Sequence, residues 1–108
     1  MEPVTQLSYF LELASEDGRM APTHISLYMA LFHCWIKNQG NNPVKIFRDK
    51  VMHLARISGR ATYQKCIRDL QEFGYICYFP SFNHSLGTLV YLQYNSIAHE
   101  QTNELSQS

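Results

Sequence analysis

Apolar residues near the start of the chain recur at the spacing of one helical face. They occupy positions i, i+3, i+4 and i+7 and are Leu7, Phe10, Leu11 and Ala14. This pattern predicts an amphipathic helix over residues 4–14, with Thr5 as its N-cap. Tyr9 and Leu13 lie off that face, so the helix has more apolar surface than a single contact needs.

A second segment, residues 24–38, is apolar around most of its circumference. One stripe at helical spacing contains Ile25, Met29, Phe32 and Ile36. Further apolar residues widen it and are Leu27, Leu31, Cys34 and Trp35. This pattern is typical of a helix at the centre of a small domain, contacted from several sides. Thr23 is the expected N-cap, and turn-forming residues at 38–43 end the helix.

Residues 48–73 contain two amphipathic segments joined by a tight turn at Ser58-Gly59. The first predicts a short helix that ends near Arg56. Its buried positions are expected to be Val51, Leu54 and Ala55. The second predicts a helix over residues 60–73. Its apolar face holds Tyr63, Cys66, Ile67, Leu70 and Phe73. Gly74 then fits the left-handed residue that often follows a helix.

Extended segments flank this pair of helices. A short β-prone run precedes it at residues 44–47. Two further runs follow at 75–79 and 88–94, with a loop between them, and these predict a β-hairpin over residues 75–94. Residues 95–108 are polar and lack apolar periodicity, so we expect a disordered tail there.

The elements predict one compact domain over residues 1–94, a size that suits a chain of 108 residues. The fold class is mainly α with a small β-hairpin (α+β). With 45% apolar residues, the chain can bury a substantial core. Its apolar runs are shorter than the roughly 20 residues of a membrane helix, and its start lacks the pattern of a secretory signal. No membrane association and a cytoplasmic location are therefore the expectation.

Several motifs resemble those of the winged helix-turn-helix DNA-binding domains. They are the run 54–63 with its small polar turn, then Ile67 and Leu70, and the segment Phe73-Gly74-Tyr75-Ile76. The resemblance covers residues 45–94, and most of the chain once helix 24–38 is included. It implies a winged helix-turn-helix with an additional N-terminal helix. Helix 60–73 is then the recognition helix that enters the major groove, and the hairpin is the wing.

Within that superfamily, the chain is most similar to short winged-helix proteins of bacterial mobile elements and to replication-initiator-like domains. Segments 25–32, 61–66 and 78–83 carry this narrower resemblance. It implies a bacterial protein that acts on DNA or within an assembly built on DNA.

The formal net charge is zero, but the charges are distributed unevenly. Residues 1–20 carry four acidic side chains and one basic one, a net charge of −3. Residues 45–75 carry seven basic and three acidic side chains, a net charge of +4. Because DNA binding depends on cations that face phosphate, the excess of basic residues in the helix-turn-helix segment favours a nucleic-acid partner.

The outer face of helix 60–73 has the residue types that contact DNA. They are Arg60, Ala61, Thr62, Gln64, Lys65 and Arg68. Arg60, Gln64 and Lys65 are expected to read base edges. Ala61 is small enough to permit close approach or to contact a thymine methyl group, and Thr62 and Arg68 are expected to hold phosphate. The alternative is that these residues form the solvated face of an ordinary amphipathic helix.

Residues outside that helix add weaker candidates. Arg48, Lys50 and Arg56 are expected to make further contacts with the DNA backbone. The wing loop has neither lysine nor arginine, so its DNA contacts would come from Asn83 and His84, each weaker than a cation on phosphate.

These observations predict non-enzymatic binding to double-stranded DNA, as a small transcriptional regulator or a mobile-element accessory factor. The alternative is a winged-helix module that binds a protein partner in a replication or recombination complex. The neutral net charge and the uncharged wing favour the alternative, whereas the basic face of helix 60–73 favours DNA.

The N-terminal helix has two interpretations. Because many helix-turn-helix proteins bind paired half-sites as symmetric dimers, residues 4–14 are a candidate homodimer interface through Tyr9 and Leu13. Alternatively, the helix simply closes the core of the domain.

No catalytic or cofactor site is expected. The three cysteines have no CxxC spacing, which favours reduced, buried thiols over disulfides. The five histidines are scattered and none is paired with a cysteine at zinc spacing, so no metal site is predicted. No serine or cysteine lies in a nucleophile motif, and the acidic residues form no catalytic pair.

Overall fold

A computed structural model of the chain describes residues 2–80 and 87–92. This part of the chain contains four helices and three strands. In chain order they are α1 (Pro3–Glu16), α2 (Pro22–Lys37), β1 (Val44–Ile46), α3 (Arg48–Ala55), α4 (Arg60–Glu72), β2 (Cys77–Phe79) and β3 (Thr88–Tyr91). The architecture is therefore mostly helical with a small sheet, which confirms the expected α+β class.

The three strands form one antiparallel sheet in the order β1-β3-β2. Val90 lies at its centre, opposite Val44 on one side and Tyr78 on the other. The sequence predicts the β2–β3 hairpin, and the structure confirms these two strands. The pairing of β1 with β3 was not predicted, because it joins segments more than forty residues apart, which local patterns do not reveal.

Helix α2 lies at the centre of the domain and contacts α1, α3, α4 and β1. Its fully buried side chains include Leu27, Leu31 and Trp35. The predicted stripe was wrong in part, since Met29 is 39% exposed and Ile36 is 38% exposed. Leu27, Leu31 and Trp35, which were expected to lie beside the stripe, instead form the centre of the buried face.

Two other helices bury most of the predicted positions, including Phe10 and Ala14 in α1 and Val51 and Ala55 in α3, but each departs at one residue. In α1, Leu11 is 45% exposed, whereas Gln6 is buried and its amide donates to the Tyr28 hydroxyl at 2.8 Å. In α3, Leu54 is 39% exposed and Met52 is buried instead. A helical wheel counts glutamine as polar, so it cannot anticipate a buried amide that has a hydrogen-bond partner.

Two helices begin before the predicted N-caps, whereas the end of α4 is as expected. α1 begins at Pro3 after Glu2, and α2 begins at Pro22 after Ala21, so the predicted caps Thr5 and Thr23 lie inside their helices. The prediction for Gly74 is confirmed: its φ is 89°, and the next amide donates to the Leu70 carbonyl at 2.9 Å. This geometry ends α4 and turns the chain into β2.

The remaining sequence expectations fall on other parts of the chain. The predicted tail, residues 95–108, and the tip of the wing lie outside the described residues. Where the chain is described, no helix combines the length and hydropathy needed to cross a membrane.

Candidate nucleic-acid interface

The turn between α3 and α4 sets the orientation of α4 relative to the core. Arg56 has left-handed backbone angles (φ 61°), and Ile57 donates its amide to the Met52 carbonyl at 2.9 Å. The chain then extends to Gly59, the residue before α4. The Ser26 hydroxyl donates to the carbonyl of Ala55, so the start of the turn is tied to the central helix.

Helix α4 buries one face and exposes the other. Tyr63, Cys66, Ile67 and Leu70 are buried against the core, as predicted. The six candidates for DNA contact are all exposed: Arg60, Ala61, Thr62, Gln64, Lys65 and Arg68. The thirteen residues of α4 make a rod about 20 Å long, and these side chains lie within its first two and a half turns, with Arg60 and Thr62 at opposite margins of the exposed face.

One acidic residue shares this side of the helix. Asp69 accepts from Lys65 Nζ at 2.7 Å, and its same oxygen lies 2.9 Å from His24 Nε2 on α2. Because His24 Nδ1 accepts from the Ala21 amide at 2.9 Å, the proton of the neutral ring is placed on Nε2, which donates to Asp69. The hydrogen bond with Asp69 raises the pKa of Lys65, and Lys65 and then His24 lower the pKa of the Asp69 carboxyl.

The Asp69 network was not predicted, although its signal is present in the sequence. Lys65 and Asp69 are four residues apart, the spacing at which side chains on a helix meet. Lys65 remains 70% exposed, so the ammonium group is both accessible and held by a carboxylate. The outer face of α4 is therefore less positive near its middle than the count of cations indicates.

A groove of about 490 Å³ separates the first turns of α4 from the sheet. We call it the aromatic groove, and define it by six of its lining residues: Phe47, Arg48, Arg60, Tyr63, Gln64 and Tyr78. The groove brings together three predicted DNA contacts, Arg48, Arg60 and Gln64, from two helices. Its walls, however, are largely aromatic and aliphatic, which the sequence did not predict.

Electrostatics in the aromatic groove are set by the arginines and one carboxylate. Arg48 Nε lies 3.3 Å from a carboxylate oxygen of Asp49, whose side chain is 84% exposed. Such an exposed pair contributes little stability and is readily exchanged for another anion. Burial raises the pKa of Tyr63 to about 12, and the nearby charge of Arg48 partly opposes that shift.

The other two residues outside α4 that were predicted to contact the DNA backbone, Lys50 and Arg56, lie outside the aromatic groove. Lys50 lines a second groove of about 260 Å³, between the end of α2, β1 and α3, together with His33, Lys37 and Lys45. Arg56 is exposed at the end of α3. The structure thus separates Arg48 from Lys50, and it adds two lysines, Lys37 and Lys45, to the cations around α3.

The start of β3, at the base of the predicted wing, depends on one glycine. Gly87 has φ +74°, and a Cβ atom there would lie 2.7 Å from the Ile46 carbonyl oxygen. The absence of a side chain therefore lets β3 start close against β1. The two wing candidates, Asn83 and His84, lie outside the described residues.

The described residues contain no group of three histidine, cysteine, aspartate or glutamate side chains that could hold a metal ion. Cys34, Cys66 and Cys77 are free thiols. Burial raises the pKa of the Cys66 thiol, which keeps it protonated and weakly nucleophilic.

Comparison with known proteins adds no functional information to this geometry. No family model matches the chain, and no curated protein or solved structure matches it either.

Proposed function

We propose that this chain is a non-enzymatic protein that binds double-stranded DNA, with α4 as the recognition helix in the major groove. It would act in the bacterial cytoplasm as a small transcriptional regulator or as an accessory factor of a mobile element. The order α-α-β-α-α-β-β with a three-stranded antiparallel sheet supports a winged helix-turn-helix with an additional N-terminal helix.

The observation that carries this proposal is the exposed face of α4. Its six predicted contact residues all face away from the core, while the opposite face is anchored by four buried side chains. A helix in the major groove needs small residues near its start and donors along its outer side. Gly59 and Ala61 meet the first need, and Arg60, Gln64 and Arg68 meet the second.

The roles divide by position along α4. Gln64 and Lys65 are proposed to read base edges, with Lys65 leaving Asp69 as DNA binds. Arg68 is one turn further along and is proposed to hold phosphate. Arg60 faces the aromatic groove together with Arg48, so we assign phosphate contacts to both.

Fluorescence anisotropy with random duplex DNA at two salt concentrations tests the proposal. Arg68→Glu changes the net charge by −2 on α4, and Thr5→Glu/Asn41→Glu changes it equally at exposed sites outside both α4 and the groove on α1. Wild type should bind more weakly at the higher salt concentration. Arg68→Glu should weaken binding about tenfold or more, while Thr5→Glu/Asn41→Glu binds as wild type does. Equal weakening by both variants, or no binding at low salt by folded wild type, would refute the proposal.

A second candidate function is binding to a protein partner in a replication or recombination complex. It is favoured by the outer face of the sheet, where Phe79 is 52% exposed and Leu89 is 38% exposed in adjacent strands. Under this hypothesis, Phe79→Asp abolishes partner binding, and Arg68→Glu leaves it unchanged. The opposite pattern would favour DNA.

We propose that α1 also forms a homodimer interface, through residues other than Tyr9 and Leu13. Tyr9 and Leu13 are half-buried, and Leu13 packs against the core, so they are poor contacts for a second copy. Val4 is 79% exposed and Leu11 is 45% exposed, and both line a shallow groove on the outer side of α1. Analytical ultracentrifugation of Val4→Asp/Leu11→Asp tests this surface, since a dimer formed there should dissociate into monomers.

A further inference from the structure

We propose that the aromatic groove binds one unpaired nucleotide of a DNA strand that adjoins the duplex held by α4. The inference rests on the proposed function and extends it from duplex DNA to the junction between duplex and single strand. It predicts that the protein binds a duplex with a single-stranded overhang more tightly than the same duplex with blunt ends.

The size and lining of the groove fit this ligand. Its volume of about 490 Å³ lies within the roughly 300–1,000 Å³ typical of small-molecule sites. Tyr78 and Pro80 come from the β2 side, and Ile67 comes from α4. Phosphate oxygens gain nothing from an aromatic wall, whereas the flat face of a base does, because stacking on aromatic rings is a main source of affinity for single strands.

The charged and polar groups of the groove match the rest of a nucleotide. Arg48 and Arg60 reach it from different helices and can hold phosphate. The Thr88 hydroxyl, also in the lining, can donate to or accept from the edge of the unpaired base. Among the described residues of the lining, Asp49 is the one carboxylate, and its side chain is 84% exposed, so water screens its repulsion of phosphate.

The aromatic side chains of the groove also favour an unpaired base over a paired one. Inside a duplex, both faces of a base are covered by its neighbours in the stack, so it has no face to offer a protein. An unpaired base at an overhang is free to turn its face towards Tyr78 at little cost. The exposed side of α4 and the aromatic groove adjoin at Arg60 and Gln64, so one DNA molecule can contact both.

The test compares four labelled DNAs by fluorescence anisotropy at one salt concentration. They are a blunt duplex, the same duplex with a four-thymine overhang at a 5′ or a 3′ end, and the overhang strand alone. Wild type should bind one of the overhang duplexes at least about fivefold more tightly than the blunt duplex, the smallest gain expected from stacking one base.

Two neighbouring residues on β2 provide matched variants. Tyr78 faces the aromatic groove, whereas Phe79 lies on the opposite face of the strand and is 52% exposed. Tyr78→Leu keeps an apolar side chain but removes the ring, and should reduce the preference for the overhang to about onefold. Tyr78→Phe and Phe79→Leu should keep the preference.

Cross-linking wild-type protein avoids any effect of a variant on folding. An overhang that carries 5-iodouracil should cross-link under light to a peptide that contains Tyr78, Tyr63 or Phe47. Cross-links found only outside the aromatic groove would overturn the inference.

The remaining outcomes separate this inference from the proposed function. Salt-dependent binding that is equal for blunt and overhang duplexes would overturn the inference and leave the proposed function standing. A preference that survives Tyr78→Leu would overturn it too, because the overhang would then bind elsewhere. Failure of folded protein to bind any of the DNAs would overturn both.

Discussion

Replacing Asp69 with asparagine should strengthen DNA binding. The carboxylate lies 2.7 Å from Lys65 Nζ and on the side of α4 proposed to face DNA. Removing its charge frees the ammonium group for phosphate or a base edge and removes a repulsion. If this adds one phosphate contact, the slope of log K against log salt steepens by about 0.9, and affinity at 0.1 M salt rises about eightfold.

The variant should remain folded, because the asparagine oxygen can still accept from His24 Nε2. Loss of the charge on that hydrogen bond should lower the free energy of unfolding by about 1 kcal/mol, which a thermal melt measures. Glu16→Gln on α1 is the control, since it removes one negative charge from an exposed site outside both α4 and the groove on α1. Affinity that is unchanged or lower in Asp69→Asn, or raised equally by Glu16→Gln, would refute the reasoning.

Three further predictions concern stability, each measured by chemical or thermal unfolding. Gly87→Ala should lower the free energy of unfolding by about 2 kcal/mol or more, because a Cβ atom there would lie 2.7 Å from the Ile46 carbonyl oxygen and the backbone φ is left-handed. Gly18→Ala is the control and should change that free energy by less than about 0.5 kcal/mol, because nothing lies within 4 Å of the added Cβ. Leu27→Ala should cost about 2–5 kcal/mol because Leu27 is fully buried, whereas Leu11→Ala, at a site 45% exposed, should cost less than about 1 kcal/mol. Hydrogen bonds from the neighbouring arginine lower the pKa of Asp17, so its ionised form stabilises the fold fully at neutral pH. That contribution declines as the pH falls below about 4, the unfolded value, so Asp17→Asn should reduce stability at neutral pH and flatten its loss in acid.

Helix α4 was the part of the fold most predictable from sequence. Its apolar and polar residues separate cleanly, and the buried positions Tyr63, Cys66, Ile67 and Leu70 are as predicted. Gly74 was equally informative, since its position after a helix limits the backbone angles it adopts. These are local signals, in which the sequence of one segment determines its own conformation.

The remaining faces and sites depend on contacts that no local pattern contains. Gln6 is buried because Tyr28, twenty-two residues away, accepts its hydrogen bond. The aromatic groove is assembled from the segments around Phe47, Gln64 and Tyr78, and its lining becomes visible only when α4 packs beside the sheet. Asp69 is a different case, because its four-residue spacing from Lys65 on one helix is itself a local signal for an ion pair.

An NMR titration of ¹⁵N-labelled protein with a short duplex at low salt tests the central proposal most directly, because it shows where DNA binds. We predict that the largest amide shifts map to residues 59–68, with smaller shifts at the start of α3, and that they diminish as salt is added. Shifts confined to α1 or to the outer face of the sheet around Phe79, or no shifts at all, would contradict the assignment of α4 as a DNA-binding helix.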